Sequence, residues 1–313
     1  MKRALWLIVV VSIVVVLLLL SQQRDSRDIS KKEHSVVTTI YPIYFITKSI
    51  VGDRVDIKRL IKPGSEIHSF SPTPKDMVDI DHSDLLITLG DKLEPWVSKI
   101  SKATTVEILT LEDSLYLLHS DKRHHHHSED DQKHHSKSGI NPHVWLDFDN
   151  DIKMIEDIRD KLSQLYPDHS TIFAKNSSDL INSFKELDRE YSRGLGECRK
   201  DTILVGHDAF GYMQRRYHFG AESIMGVFAH SRPNASKIAR LSKIIEQKRI
   251  GYLMIDPMES SKSALQLVKD MHLDTISLYT LGNIPLESER KGSDMMTLLR
   301  SNLSNLKKAL ECQ

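Results

Sequence analysis

Short runs of β-branched and apolar residues alternate along most of this chain with segments of helical spacing, and that alternation narrows the folds open to it. VVTTI leads into the helical pattern YPIYFITKSIV, and VDIKRLI reads as a second strand. After a loop rich in Pro, Gly and Ser, PGSEIHSFSPTP, come a helix around KDMVDI, a buried strand DLLITLG, a helix through Trp96 and a strand TTVEIL. Strands separated by helices need crossover connections, so they pair in parallel and place helices on both faces of the sheet.

From Ser170 to Leu195 the apolar residues Phe173, Leu180, Ile181, Phe184, Leu187, Tyr191 and Leu195 recur at intervals of three, four or seven, which predicts one long helix. Asp168 or Ser170 is positioned to cap its start, and Gly194 with Gly196 to end it. The alternation then resumes: strand TILVG, helix AFGYMQRRY, strand AESIMGV, helix ASKIARLSKIIEQKR, strand GYLMID, helix SSKSALQLVKDM, strand TISLYTL and a last helix near MTLLR. The expected fold is α/β, with two lobes, each a mainly parallel sheet flanked by helices, joined by one long helix. The divisions fall at 1–25, at 26–165 for the first lobe with a His-rich loop at 119–139, at 166–198 for the linking helix, and at 199–313 for the second lobe.

The first residues differ from the rest: MKR, an uninterrupted apolar run from Ala4 to Leu20, then a polar stretch. This reads as an export signal, either a cleaved leader or an uncleaved membrane anchor, and both place the body outside the cytoplasm. No Cys follows the run, which argues against lipid attachment there. The 43 basic and 43 acidic side chains provide no single-sign field, so a nucleic-acid partner is not expected. In an oxidising compartment Cys198 and Cys312 could form one disulfide, which the sequence alone leaves open.

Among sixteen histidines, position separates the candidates. His68 lies in the Pro/Gly loop after a strand, His143 follows NP just before VWLD, and His207 stands where ILVG gives way to DAFGY. Carboxyl ends of strands are where open α/β sheets bind ligands, and three neutral imidazoles from separate loops suit zinc, with a fourth position for a carboxylate or water. The stretch DKRHHHHSEDDQKHHSKSG has no apolar periodicity and reads as a loop. Its His124, His125, His126, His127, His134 and His135 can collect metal, but more weakly than a preformed site, because ordering the segment costs entropy. Trp96 and Trp145 read as core, while His34, His82, His169, His218, His230 and His272 are scattered without a partner motif.

The segments TTIYPIYFITKSIVGDRVDIKRLIKPGSEIHSFSPTPKD, DLLITLGDKLEPW, NPHVWLDFDN, HDAFGYMQRRY and IDPMESSKSA follow in order the motifs of the zinc and manganese solute-binding proteins of ABC transporters. This resemblance covers nearly the whole chain after the leader. It implies two α/β lobes on a rigid helix, one metal ion in the cleft, and ligands at His68, His143 and His207. Zinc-specific relatives also carry a His- and acid-rich loop at this point.

Where many relatives have an aspartate in a segment like LDPLG, this chain reads LYTLG, with Tyr279 in its place. A phenol is a poor ligand at neutral pH, so the candidate fourth ligands are Glu66, Asp256 and Tyr279, with Glu259 beside them, or a water. The expectation is a monomeric protein, not an enzyme, that captures Zn²⁺ for a membrane permease and releases it as the imidazoles protonate near pH ~6. Manganese or iron binding by the same class is the alternative, disfavoured by an imidazole-rich site. A zinc hydrolase lacks an HExxH pair, and a surface adhesin carries no residue-level expectation.

Overall fold

The computed structural model describes residues 35–119, 139–226, 234–259, 266 and 268–313. The leader, the histidine tract, His34, His230 and most of the first half of the helix expected at SSKSALQLVKDM lie outside the described residues.

The first lobe contains β1 (Ser35–Thr38), α1 (Tyr41–Val51), β2 (Asp56–Arg59), α2 (Pro74–Asp81), β3 (Leu85–Thr88), α3 (Val97–Ile100) and β4 (Glu107–Thr110). Next come α4 (Phe148–Leu165) and the long α5 (Ser170–Gly194). The second lobe follows with β5 (Thr202–Val205), α6 (Gly211–Tyr217), β6 (Gly220–Ser223), α7 (Ala235–Lys248), β7 (Tyr252–Ile255), β8 (Asp274–Ser277), α8 (Leu286–Arg290) and α9 (Met295–Leu310). Every strand pairing in both sheets is parallel. Strand order is β2-β1-β3-β4 in one and β6-β5-β7-β8 in the other. Each sheet thus has a switch point, between β1 and β3 and between β5 and β7, where a crevice opens at the carboxyl ends of the strands. β3 is buried along its whole length, as an apolar run covered on both faces requires.

Local chemistry places the helix ends. Thr73 and Asp76 form a reciprocal capping box at the start of α2, and Asp147, Asn234 and Asp294 cap α4, α7 and α9 with their side chains. For α5 the expected cap is wrong. A 3-10 turn at Pro167–His169 winds directly into the helix, so the residue before it, His169, is already helical, and neither Asp168 nor Ser170 makes the cap. The helix expected through Trp96 is one turn that begins after it.

α5 buries Phe173, Leu180, Phe184, Leu187 and Tyr191 along one stripe. Asn176 donates its amide to the Ile50 carbonyl at the end of α1, and the Tyr191 hydroxyl donates to the Leu299 carbonyl in α9 at 2.6 Å. The stripe therefore packs on both lobes, and one apolar cluster runs continuously from Val36 to Leu310. Trp145 lies within this core, as expected, and Trp96 in a satellite cluster beside it.

Cys198 and Cys312 are disulfide-bonded across 114 residues of sequence, so the bond closes a loop around the second lobe. Replacing both with Ser should lower stability by about 2–4 kcal/mol through the wider unfolded ensemble, read as a lower melting temperature. A melt unchanged by the double substitution would show that the lobe needs no such closure.

Glu94 is buried between the ends of β1 and β3, where its Oε2 accepts from the Thr39 hydroxyl at 3.0 Å and the Leu89 amide at 2.7 Å. Burial pushes its carboxyl up from an ordinary 4.5 to about 7. The folded state therefore holds a proton that the unfolded chain has already lost above 4.5. Stability should fall as pH rises from there to about 7. The loss is at most about 3 kcal/mol, and Glu94→Gln should flatten that slope in denaturant melts run across the same pH range.

Candidate metal centre

Each of the three candidate histidines is placed by a different local device. His207 follows β5: the Gly206 amide donates to the Met254 carbonyl, extending the β5–β7 ladder by one residue and leaving His207 at the switch-point crevice. His143 precedes a 3-10 turn at Val144–Leu146. Its backbone amide and its ring Nδ1 both donate to Asn141 Oδ1, at 3.1 and 2.8 Å. His68 ends a loop whose turn is tied by Glu66, with Oε1 accepting from the His68 amide and Oε2 from the Ser69 amide, each at 2.9 Å.

These devices bring His68, His143 and His207 together, with one ring nitrogen from each all within 4.8 Å of one another. The ring centroids lie 5.2 Å apart for His68–His143, 5.3 Å for His143–His207 and 6.3 Å for His68–His207. His143 is fully buried, His207 nearly so, and His68 closes the cluster from a half-buried position.

Tautomer assignment follows from the partners. A backbone amide can only donate, so the atom of Asn141 that accepts from the His143 amide is its oxygen, and the Nδ1 of His143 must carry the ring proton. The Nδ1 of His207 donates to Glu259 Oε1. With both protons on Nδ1, the two Nε2 lone pairs face each other 3.4 Å apart. Two lone pairs at that distance repel, and a cation between them removes the repulsion. Burial, then the neighbouring His68 and His207, push the His143 imidazole well below its ordinary range, which keeps the metal-binding form neutral.

Among the described residues the His, Cys, Asp and Glu side chains grouped closely enough to hold an ion are these three histidines, and of the expected fourth ligands Glu259 meets the group on the Nδ1 side of His207. Glu66 spends both oxygens on its own turn. Asp256 is buried, with Oδ1 accepting from the Met258 amide at 2.8 Å and Oδ2 from the Thr280 amide and hydroxyl at 2.7 and 2.6 Å. Tyr279 has its backbone bonded on both sides to Asn302 and its ring packed on the core. Glu66 and Asp256 thus both serve turns of their own backbone. Asn141, which orients His143, escaped the sequence reading, although its place two residues before the histidine is the signal. Among the scattered histidines, His82 bonds the Val78 carbonyl, His169 packs on Phe173 and His218 ends α6 in the left-handed region.

Two α/β lobes on one helix, with a cluster of imidazoles contributed by both, are an arrangement like that of the two-lobed solute-binding proteins. The chain belongs to the family described as zinc-uptake complex component A, periplasmic, whose model matches residues 36–309. It is 34% identical over 283 residues to the zinc-binding protein AdcA of Streptococcus pyogenes serotype M3, covering 87% of this chain and 55% of that protein. It therefore spans about half the length of that relative. The high-affinity zinc uptake system protein ZnuA of Bacillus subtilis is 30% identical over 290 residues, covering 92% of this chain and 91% of its own. The crystal structure of the Zn(II)-bound ZnuA-like domain of Streptococcus pneumoniae AdcA superposes with a TM-score of 0.75 at 27% identity, covering 89% of this chain and 99% of that one.

The two lobes meet beside the cluster. The Trp145 indole N–H donates to the Thr280 carbonyl at 2.7 Å while its ring lies edge-on to His143, centroids 5.4 Å apart. Asn283 donates to the Lys62 and Ser65 carbonyls, pinning the loop that carries His68. Arg216 in α6 pairs with Asp147 and Asp149 at the start of α4 and with Asp188 in α5. At Gly282 a Cβ would lie 2.3 Å from Ile67 and 2.8 Å from Trp145, so only glycine admits this approach. Gly282→Ala should cost about 1–3 kcal/mol and loosen His68 from the cluster. Gly251, where an added Cβ would meet nothing within 4 Å, is the control. Equal melting temperatures for the two alanine variants would contradict a tight lobe junction.

Proposed function

We propose that this protein captures Zn²⁺ outside the cytoplasmic membrane through His68, His143 and His207 and hands it to the permease of an ABC transporter. The observation that carries this reading is the pair of Nε2 lone pairs held face to face, with the His68 ring closing the group. Three neutral imidazoles make a zinc-type donor set and leave a fourth position for a water or a solvent-borne ligand. The names of the relatives point the same way. An oxygen-rich manganese site is the less favoured reading, because no carboxylate joins the cluster among the described residues.

The export-type amino terminus and the disulfide both suit an oxidising compartment outside the cytoplasm. No helix among the described residues is long and apolar enough to cross a membrane. The protein acts as a binder and not as an enzyme, a reading supported by its family, a component of a zinc-uptake complex. It works as a monomer with no nucleic-acid partner. The tract His124–His127 with His134 and His135 serves as an accessory collector. The described residues that flank it meet near Asn141, since His119 bridges Ile140 and the Tyr212 hydroxyl links the Leu118 amide to the Asn141 carbonyl.

Titration with Zn²⁺ and Mn²⁺ against a competing chelator tests the assignment. One tight zinc should bind, survive deletion of residues 124–135, and be lost in His68→Ala, His143→Ala and His207→Ala, with manganese weak throughout. Tight manganese with weak zinc would replace the assignment, and full zinc affinity in His207→Ala would remove the cleft from it.

A further inference from the structure

The two histidines buried deepest in the cluster are held by chemically different partners. In the first lobe His143 leans on a neutral amide, Asn141, whereas in the second lobe His207 leans on a carboxylate, Glu259. We propose that Glu259 is the positioning residue of the metal centre: it fixes His207 with Nε2 free and places a negative charge one imidazole away from the bound cation. This rests on the zinc reading above and adds the residue that tunes it.

Four observations support the assignment. Both side chains are nearly dry, 6% exposed for His207 and 11% for Glu259, so their contact is poorly screened by solvent. The second oxygen, Glu259 Oε2, is buried with no hydrogen-bond partner among the described residues. Room for it exists because residue 206 is glycine: a Cβ there would lie 2.2 Å from that oxygen. Finally, the Glu259 amide donates to the Asp256 carbonyl at 2.8 Å, and Asp256 is itself tied to Met258 and Thr280, so the backbone aims the carboxylate from a fixed turn at the end of β7.

The chemistry follows from the ring. Nδ1 and Nε2 of an imidazole diverge, so a carboxylate engaged at Nδ1 stands behind the ligand and does not compete for the metal. Accepting the Nδ1 proton raises the basicity of Nε2 and locks the ring orientation. Three neutral imidazoles bring no charge to a buried divalent cation, and Glu259 offsets part of that cost without occupying a coordination position. The β5–β7 switch point thus supplies both the ligand, after β5, and its orienting charge, after β7.

The test uses the whole protein and three substitutions, with Zn²⁺ affinity read by chelator competition and the coordination shell read by the visible absorption of bound Co²⁺. Glu259→Ala should weaken zinc by about 10- to 100-fold. Glu259→Gln, which keeps an acceptor oxygen and the shape but not the charge, should recover part of that loss and leave the Co²⁺ bands in place. Gly206→Ala, which keeps the carboxylate but displaces it, should weaken zinc in the same direction. Melting of the metal-free variants separates this from failed folding, and Glu259→Gln is the isosteric case. Zinc affinity in Glu259→Ala equal to that of the parent overturns the proposal. So does a Glu259→Gln variant as weak as Glu259→Ala with altered Co²⁺ bands, which would make Glu259 a direct ligand. A parent protein that binds no zinc overturns the functional reading itself, a result the variants cannot mimic.

Discussion

The indole of Trp145, wedged between the two lobes, is the contact on which the rest of the structure depends. Its N–H is bonded to the Thr280 carbonyl, one face of its surroundings is the backbone of Gly282, and its edge meets His143. A single side chain thereby couples lobe packing to the position of an imidazole of the cluster. Asn283 does the same for the loop of His68. Because one apolar cluster runs through both lobes, wide hinge opening would expose buried core at about 25 cal/mol per Å². Of the three imidazoles, the half-buried His68 is the one nearest to solvent.

The same junction sets the electrostatics. Arg216 gathers Asp147, Asp149 and Asp188 from two helices, so acidic groups close to the cluster in sequence are neutralised by a cation of the other lobe. The carboxylates of Glu66 and Asp256 are consumed by backbone amides. What remains at the centre is a set of neutral donors, one of which is backed by a carboxylate. Such an arrangement favours a borderline-soft cation over one that demands oxygen ligands.

Much of this was legible in the chain. The α/β alternation predicted parallel sheets, the spacing from Ser170 to Leu195 predicted α5, and His68, His143 and His207 stood out by their places at strand ends. Errors came where a residue type had two equally good uses. Asp168 and Ser170 looked like caps but were bypassed by a 3-10 turn, and Glu66, offered as a ligand, also ties its own loop. Local sequence offers acidic residues for both jobs and does not say which one the backbone claims.

The sequence by itself determined the elements and their parallel pairing, because periodicity and side-chain chemistry act over a few neighbouring residues. Only the tertiary structure decided which ring nitrogens carry protons and which face the centre. His207 takes its tautomer from Glu259, 52 residues away, and Trp145 finds its acceptor in Thr280, 135 residues away. A histidine has two equivalent-looking nitrogens until a partner engages one of them, and here the fold, bringing distant strand ends together, makes that choice.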